Sequence, residues 1–524
     1  MVVMFILYTN LGEFSIYMES FPFYLAYLFN WDMNASDKDS TYIAVDMGAG
    51  SIRVMLGTLA KDGIRMEEVH RIDNEIKVQE GRDTWDMERI VREIRNGISL
   101  AIKTAEIAPL SVGVDTWGVD FVLLDAHGEL VETPVAYRDK RTEGMQEKWR
   151  KLMPESETFL RTGINFYVFN TLFQLLSAKG SKALERTSKI LFVPCYINYL
   201  LSGTAVNELT IASTSQMLGV EGDEWDHEIL DKLNLEEGKL GRVIQPGTKL
   251  GRVVVPEAGN IPLVNVAVCG HDTACVVAAL PVENPNYAFI SAGTWCIVGV
   301  ESGRPLISDD AFRLGITNER GYGNSYRSLK NIVGLWLLQG LKKHLSADIS
   351  FAQMEEMVSE EVDIKQVIDP DDPLFYNPAG MKEAFDSYFE KSGQSRPGRF
   401  SDYLRTAYDS LCFSFRFHIE QLEKFSQKSI EVLHLVGGGS QSDYLCQRVA
   451  SICKREVISG PVEGAAMGNI MIQGIAMGRI SDLKEGRALV KRSCRVKNYY
   501  PGSVSESLED RYKKYLTIKH KIIP

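Results

Sequence analysis

The hydrophobic pattern becomes regular at Tyr42, where Tyr42 to Val45 is a short apolar run closed by Asp46. Met47-Gly48-Ala49-Gly50-Ser51 has the composition of a turn, and Ile52 to Leu59 resumes as a second strand, so the pair predicts a hairpin. Lys61-Asp62-Gly63 supplies the next turn and Ile64 to Val69 a third strand, which extends the hairpin into an antiparallel meander. From Met87 to Thr104 the period changes, and Ile90, Val91, Ile94, Ile98 and Leu100 predict a helix with one buried face. Leu110 to Asp115 reads as strand again.

Three meandering strands, a helix and a further strand form the opening of an α/β domain of the actin-like (ribonuclease-H-like) kind, since a Rossmann unit alternates strand and helix from its start. A similar hairpin recurs at Tyr287 to Ser291 and Trp295 to Val300 around the turn Ala292-Gly293-Thr294, so the architecture reads as duplicated. The last third predicts a helix over Tyr403 to Phe425, a strand over Val432 to Val436, a helix over Ser442 to Cys453, a strand over Glu456 to Ile458 and a helix over Glu463 to Met477. Pro281-Val282-Glu283-Asn284-Pro285 interrupts regular structure. The expected division is therefore residues 1–40 as an N-terminal extension, disordered or not native, 41–283 and 284–490 as two domains, and 491–524 as a C-terminal tail or helix. The cleft between the domains is the expected active site.

A chain of 524 residues exceeds what one core usually serves, about 250 to 300 residues, which agrees with two large domains. The formal charge of −11, and the lack of a Lys/Arg run suited to a phosphate backbone, argue against nucleic acid as a partner. Eight cysteines form no C-x-x-C pair, and His271 has no second histidine at ligand spacing, so reduced thiols in a cytoplasmic enzyme are expected. Met1 to Asn30 is aromatic and apolar yet holds no Lys or Arg, and its apolar runs fall short of the roughly 20 residues a bilayer requires. No membrane anchor is expected, and the native start is expected at Met33.

Several short stretches carry candidate chemistry. Asp46-x-Gly48-x-Gly50-Ser51-x-Arg53 places a carboxylate at a strand end before a turn whose N–H groups can face phosphate oxygens, although an Asp-Gly hairpin turn accounts for it equally well. Ser291-Ala292-Gly293-Thr294 is a second such turn, and the two together suit a triphosphate held between domains. Gly437-Gly438-Gly439-Ser440-Gln441 lets a ring or phosphate approach the backbone, or serves as a helix-entry loop. Asp115-Thr116-Trp117-Gly118-Val119-Asp120 offers Trp117 to a sugar face, or is a structural turn around a core Trp. Gly270-His271-Asp272-Thr273 sits between the strand Val264 to Val268 and the small-residue helix Ala274 to Leu280. A plain N-cap is the commonest role of Asp at such a place. The catalytic reading is a base that takes the proton of a hydroxyl as it attacks a γ-phosphate.

These stretches resemble the FGGY carbohydrate kinases over about Tyr42 to Gly478. The most specific are Val114 to Asp125, Pro134 to Asp139, His271-Asp272-Thr273-Ala274, Ser291 to Trp295, Asn331 to Gln339 and Val436 to Gly439. The resemblance implies that Ala49, Gly50, Ser51, Ile52 and Arg53 meet ATP phosphates, that Thr294 and Gln339 line the nucleotide site, and that Gly438 lies against the adenosine. It implies sugar contacts at Gly118, His271, Asp272, Thr273 and Asn331, with Asp272 as the proton acceptor. Mg²⁺ is implied too, oriented through water by Asp46, with Asp115 second. Two departures stand out: Gly50 and Ile52 alter the small-residue spacing of the first turn, and the family's cysteine pair is half present, with Val449 opposite Cys453. The implied reaction is phosphorylation of L-rhamnulose at C1, with L-fuculose, xylulose or L-ribulose as alternatives, by a monomer or homodimer. An actin-like regulatory ATPase is the rival from another class; it would hydrolyse ATP without sugar. A sugar-sensing repressor would require a basic helix-turn-helix segment, which this acidic chain does not offer.

Overall fold

The computed structural model describes residues 39–253, 261–345, 349–358, 364–503 and 505–522. The expectations for the extension and for a start at Met33 lie outside the described residues. Asp39–Pro524 forms one compact unit.

The meander forms as the pattern predicts: β1 (Ser40–Met47), β2 (Ser51–Ala60) and β3 (Gly63–Asp73) pair antiparallel in sequence. Helix α1 (Met87–Thr104) starts at Asp86, whose carboxylate accepts from Arg89 N at 3.1 Å. Its buried face is Ile90, Ile94, Gly97, Ile98 and Ala101. Leu100 departs from that spacing and is 42% exposed, a correction to the predicted stripe. β4 (Pro109–Thr116) then runs parallel to β1, and β5 (Thr248–Arg252) and β6 (Val264–Ala267) complete a sheet of order β5-β6-β4-β1-β2-β3. Helix α2 (Asp272–Ala278) leaves the end of β6.

The second half repeats the plan. β7 (Tyr287–Ala292) and β8 (Trp295–Ser302) form the hairpin. Strands β9 (Thr317–Arg320) and β10 (Tyr326–Val333) extend it antiparallel, before helix α3 (Trp336–Leu345) and the long helix α4 (Phe400–Ser426). β11 (Val432–Val436) and β12 (Glu456–Ser459), linked by α5 (Asp443–Cys453), run parallel on the other side of β7. With β13 (Lys497–Tyr499) the order is β9-β10-β8-β7-β11-β12-β13. The arrangement β3-β2-β1-β4-β6 in one sheet therefore matches β10-β8-β7-β11-β12 in the other. This is the duplicated actin-like architecture.

Helix α6 (Gly464–Ala476) and helix α7 (Leu483–Ser493) return from the second half to the first sheet. Helix α6 is apolar around nearly its whole circumference, which suits only burial. Ile470, Met471 and Ile472 have no exposed surface, and each contributes about 1.5–3 kcal/mol by leaving water. Its two polar residues are paired with backbone and side chains of the first sheet. Gln473 Nε2 donates to Ile43 O at 2.9 Å and Gln473 Oε1 accepts from Ser111 Oγ at 2.7 Å, while Asn469 Nδ2 donates to Asp115 Oδ2 at 2.6 Å.

No helix among the described residues is long and apolar enough to cross a membrane. All eight cysteines are free thiols, and seven of them are buried.

Candidate active site

Sequence separates the candidate residues by hundreds of positions, and the first sheet brings one group of them together. The parallel register of β1 and β4 sets Asp46 beside Asp115, and Thr116 N donates to Gly270 O at 2.9 Å, which places the His271-Asp272-Thr273 turn at the same end of the sheet. Glu208, buried beneath this turn, accepts from Gly270 N at 2.8 Å, and Thr210 Oγ1 accepts from His271 N at 3.2 Å. Gly118 faces it: a Cβ there would stand 3.4 Å from His271 Nε2, an ordinary contact, so the glycine keeps open space beside the imidazole.

Asp272 is the first residue of α2 and not its cap, which is His271 with no side-chain cap bond. Its Oδ1 accepts from Thr273 N at 2.6 Å, the amide of the adjacent residue, so helix capping does not explain the carboxylate. Burial pushes Asp272 up to about 6, with Asp46 adding to the rise and His271, Thr273 N–H and Arg327 opposing it. Asp115 is held well above the usual carboxylate range by burial and by Asp46, against the hydrogen bond from Asn469. Burial also raises Asp46, against the ion pair with Arg53. Two buried carboxylates, Asp46 and Asp115, thus share one corner with the half-buried Asp272.

Arg53 bridges the two halves, donating to Asp46 Oδ2 at 2.5 Å and to Glu463 just before α6. The side chain of Ile52 is 2% exposed and belongs to the core, which leaves only its backbone to meet a phosphate; Ala49 and Ser51 are partly exposed and Gly50 is exposed. Asp115 Oδ1 is buried with no hydrogen-bond partner among the described residues. An orphaned oxygen beside Asp46 fits a hard cation held by one or two carboxylates plus water and phosphate, since no cage of three or more such ligands stands among the described residues.

A second group lies on the other sheet. Thr294 Oγ1 and Gln339 Nε2 are 3.3 Å apart, and Gly293 O and Thr294 O accept from Leu335 N and Trp336 N at 2.9 and 3.2 Å. Of the three consecutive glycines, Gly437 and Gly439 are required by packing: a Cβ would reach Ala292 O at 3.0 Å from the first and Ala292 Cβ at 2.6 Å from the last. Gly438 has open space beside it and is the one left to face a ligand. Tyr167 of the first half donates its hydroxyl to Gly315 O at 3.2 Å and lies near Asn331.

Trp117 is a core residue and offers no face to a sugar. It is 6% exposed, packs on Trp85 with ring centroids 4.5 Å apart, and donates Nε1 to Asp120 Oδ2 at 2.9 Å. The adjacent Val119 has φ 67°, a left-handed conformation costly for a β-branched residue. Val119 N donates to Thr214 Oγ1 at 3.1 Å and Val119 O accepts from Thr171 Oγ1 at 2.7 Å, which holds the strained turn against His271. Sequence reasoning missed Val119, Thr214, Glu208, Glu463 and Asn469, because each acts through contacts remote in sequence.

Residues 41–280 match the N-terminal domain, and residues 288–477 the C-terminal domain, of the FGGY family of carbohydrate kinases. The chain is similar to proteins named rhamnulokinase from Bacteroides thetaiotaomicron (38% identical over 467 residues, 88% of this chain and 96% of that one) and Bacillus subtilis (35% over 470 residues, 89% and 96%). In fold it is similar to a ligand-bound xylulose kinase from Lactobacillus acidophilus (TM-score 0.77, 15% identical, 92% of this chain and 98% of that one). A Plasmodium falciparum glycerol kinase with ADP is similar to the same degree (TM-score 0.77, 14% identical, 92% and 98%). With both halves matched in order, the chain belongs to the FGGY family of carbohydrate kinases.

Proposed function

We propose that this chain transfers the γ-phosphoryl group of ATP to the C1 hydroxyl of L-rhamnulose, giving L-rhamnulose 1-phosphate in rhamnose breakdown. The observation that carries the reading is Asp272, a half-buried carboxylate raised to about 6 whose position is not explained by capping. A base so poised is deprotonated near neutral pH and still basic enough to accept a hydroxyl proton. The relatives named rhamnulokinase support the choice of sugar.

In this reading Gly118, His271, Thr273 and Asn331 orient the ketose, and Asp272 takes its C1 proton. The turn at Ala49, Gly50 and Ser51, with Arg53, meets the phosphates; Thr294, Gln339 and Gly438 meet the rest of the nucleotide. Mg²⁺, oriented by Asp46 and Asp115, would neutralise charge on the transferring phosphoryl group. The working lobes are residues 41–283 and 284–490, with 491–524 as the tail, and the enzyme acts in the cytoplasm as a monomer or homodimer.

A panel of ketoses, with ADP release measured by a coupled assay, tests the sugar. L-rhamnulose is expected to give the highest kcat/KM; preference for L-fuculose, xylulose or L-ribulose, or ADP release without sugar, overturns the assignment. For the base, kcat/KM for the sugar should be level above about pH 6 and fall about tenfold per unit below it, as Asp272 becomes protonated. Initial rates from about pH 5 to about pH 8 check this; a level profile down to about pH 5 would remove Asp272 from the role.

A further inference from the structure

Arg327 has no exposed surface, although it is an arginine on a strand of the second sheet. A buried guanidinium is tolerated only when its donors are paired, and its partners here follow a pattern. Nε donates to Arg320 O at 3.1 Å, within its own hairpin. The other end faces the first half: Nη1 donates to Thr273 Oγ1 at 2.5 Å, and Nη2 stands 3.2 Å from His271 Nδ1 and 2.9 Å from Glu319 Oε2. Glu319 Oε2 is itself 3.1 Å from His271 Nδ1. Burial works against ionised Glu319, yet His271 and Arg327 outweigh it and hold the group down at about 2.

The two residues that flank Asp272 are therefore gripped from the other sheet, while Asp272 is touched by neither member of the pair. Thr273 is also the residue whose N–H orients the Asp272 carboxylate. Packing alone does not ask for this arrangement, because apolar side chains of similar volume fill such a site at no loss of stability. Asn331 lies four residues along the same strand, so one strand carries both a sugar-contact residue and the grip on the base.

We propose that Arg327 and Glu319 are a positioning pair, supplied by the second half, that fixes His271-Asp272-Thr273 in the geometry needed for proton transfer. The inference rests on the kinase reading above. A displacement of about 1 Å at a reacting group costs about 10²-fold in rate, which sets the size of the effect.

The test uses the full chain with Arg327→Met, Arg327→Lys and Glu319→Gln, reading kcat, the KM of each substrate, and ATP binding in the absence of sugar. Arg327→Met should lower kcat by about 10- to 100-fold while the ATP KM and ATP affinity stay within about twofold. Lysine, whose compact ammonium lacks the planar fork that spans Thr273 and Glu319, should recover part of the loss. Glu319→Gln keeps the packing and should lower kcat by about tenfold, and it decides the matter if Arg327→Met does not fold. Wild-type kcat in Glu319→Gln, or a kcat that falls only in proportion to the fraction of ATP-binding protein, overturns the proposal. A wild-type chain that shows no sugar-dependent ADP release instead overturns the kinase reading.

Discussion

Replacing Asp272 with asparagine is expected to lower turnover by about 10² to 10⁴, the usual loss when a general base is removed, and to leave ATP affinity within about twofold. Asparagine keeps the shape of the group and an oxygen able to accept from Thr273 N, so the start of α2 should stay where it is. What disappears is a lone pair basic enough to take the hydroxyl proton. The variant should not be less stable. Burial and the nearby Asp46 raise Asp272 above its unfolded value of 3.8, so holding it ionised costs the fold stability at neutral pH. That cost grows as pH rises from the unfolded value through about 6, and a neutral amide does not incur it. Steady-state rates, nucleotide binding by calorimetry and thermal melting decide between the outcomes. Near-normal turnover removes Asp272 as the base, and a fall in melting temperature with unchanged rate makes it a structural residue.

Gly468→Val is expected to damage both stability and rate. A Cβ at Gly468 would lie 2.0 Å from the carbonyl oxygen of Cys275 and 2.6 Å from its carbon. These are backbone atoms of α2, three residues after Asp272, so no side chain can swing aside to make room. Overpacking a core costs about 1–3 kcal/mol even where side chains can yield, and here two helices must separate. The separation would move Asp272 and draw Asn469 away from Asp115. A lowered melting temperature together with a loss of turnover of at least about 10² is the expected result. Gly398→Val is the control, because a Cβ there meets nothing within 4 Å. Wild-type melting and turnover in Gly468→Val would show that α2 and α6 are not tightly coupled.

Both predictions depend on contacts that no local pattern encodes. The two hairpins, the parallel strands after them and the duplication were legible because strand and helix periods are local, and because turn residues bracket each strand. Leu100 was misplaced for a local reason: the helix face follows Ile90, Ile94 and Ile98, and position 100 falls outside that progression. Trp117 could not be resolved from sequence, since its partners Trp85 and Asp120 determine that it turns inward. The glycine triplet left both a ligand feature and a helix-entry loop open, whereas Ala292, remote in the chain, accounts for two of its three members. Asp272 was visible as a residue of interest, but Arg327 and Glu319, which hold its neighbours His271 and Thr273, and Asn469, which pairs with Asp115, come from strands and a helix far along the chain.

The return of α6 to the first sheet also sets an order of assembly for a newly made chain. The strands that carry Asp46 and Asp115 leave the ribosome long before Gly464 does, so during synthesis they lack the helix that covers them. Until then Tyr42, Ala44, Met55 and Val266 are left without Met467, Ile470 and Met471, with which they share a core. Asp115 is likewise without its amide partner. A premature stop between the first sheet and Gly464 would thus release a sticky sheet with its carboxylate corner uncovered, a species for chaperones and proteases to recognise.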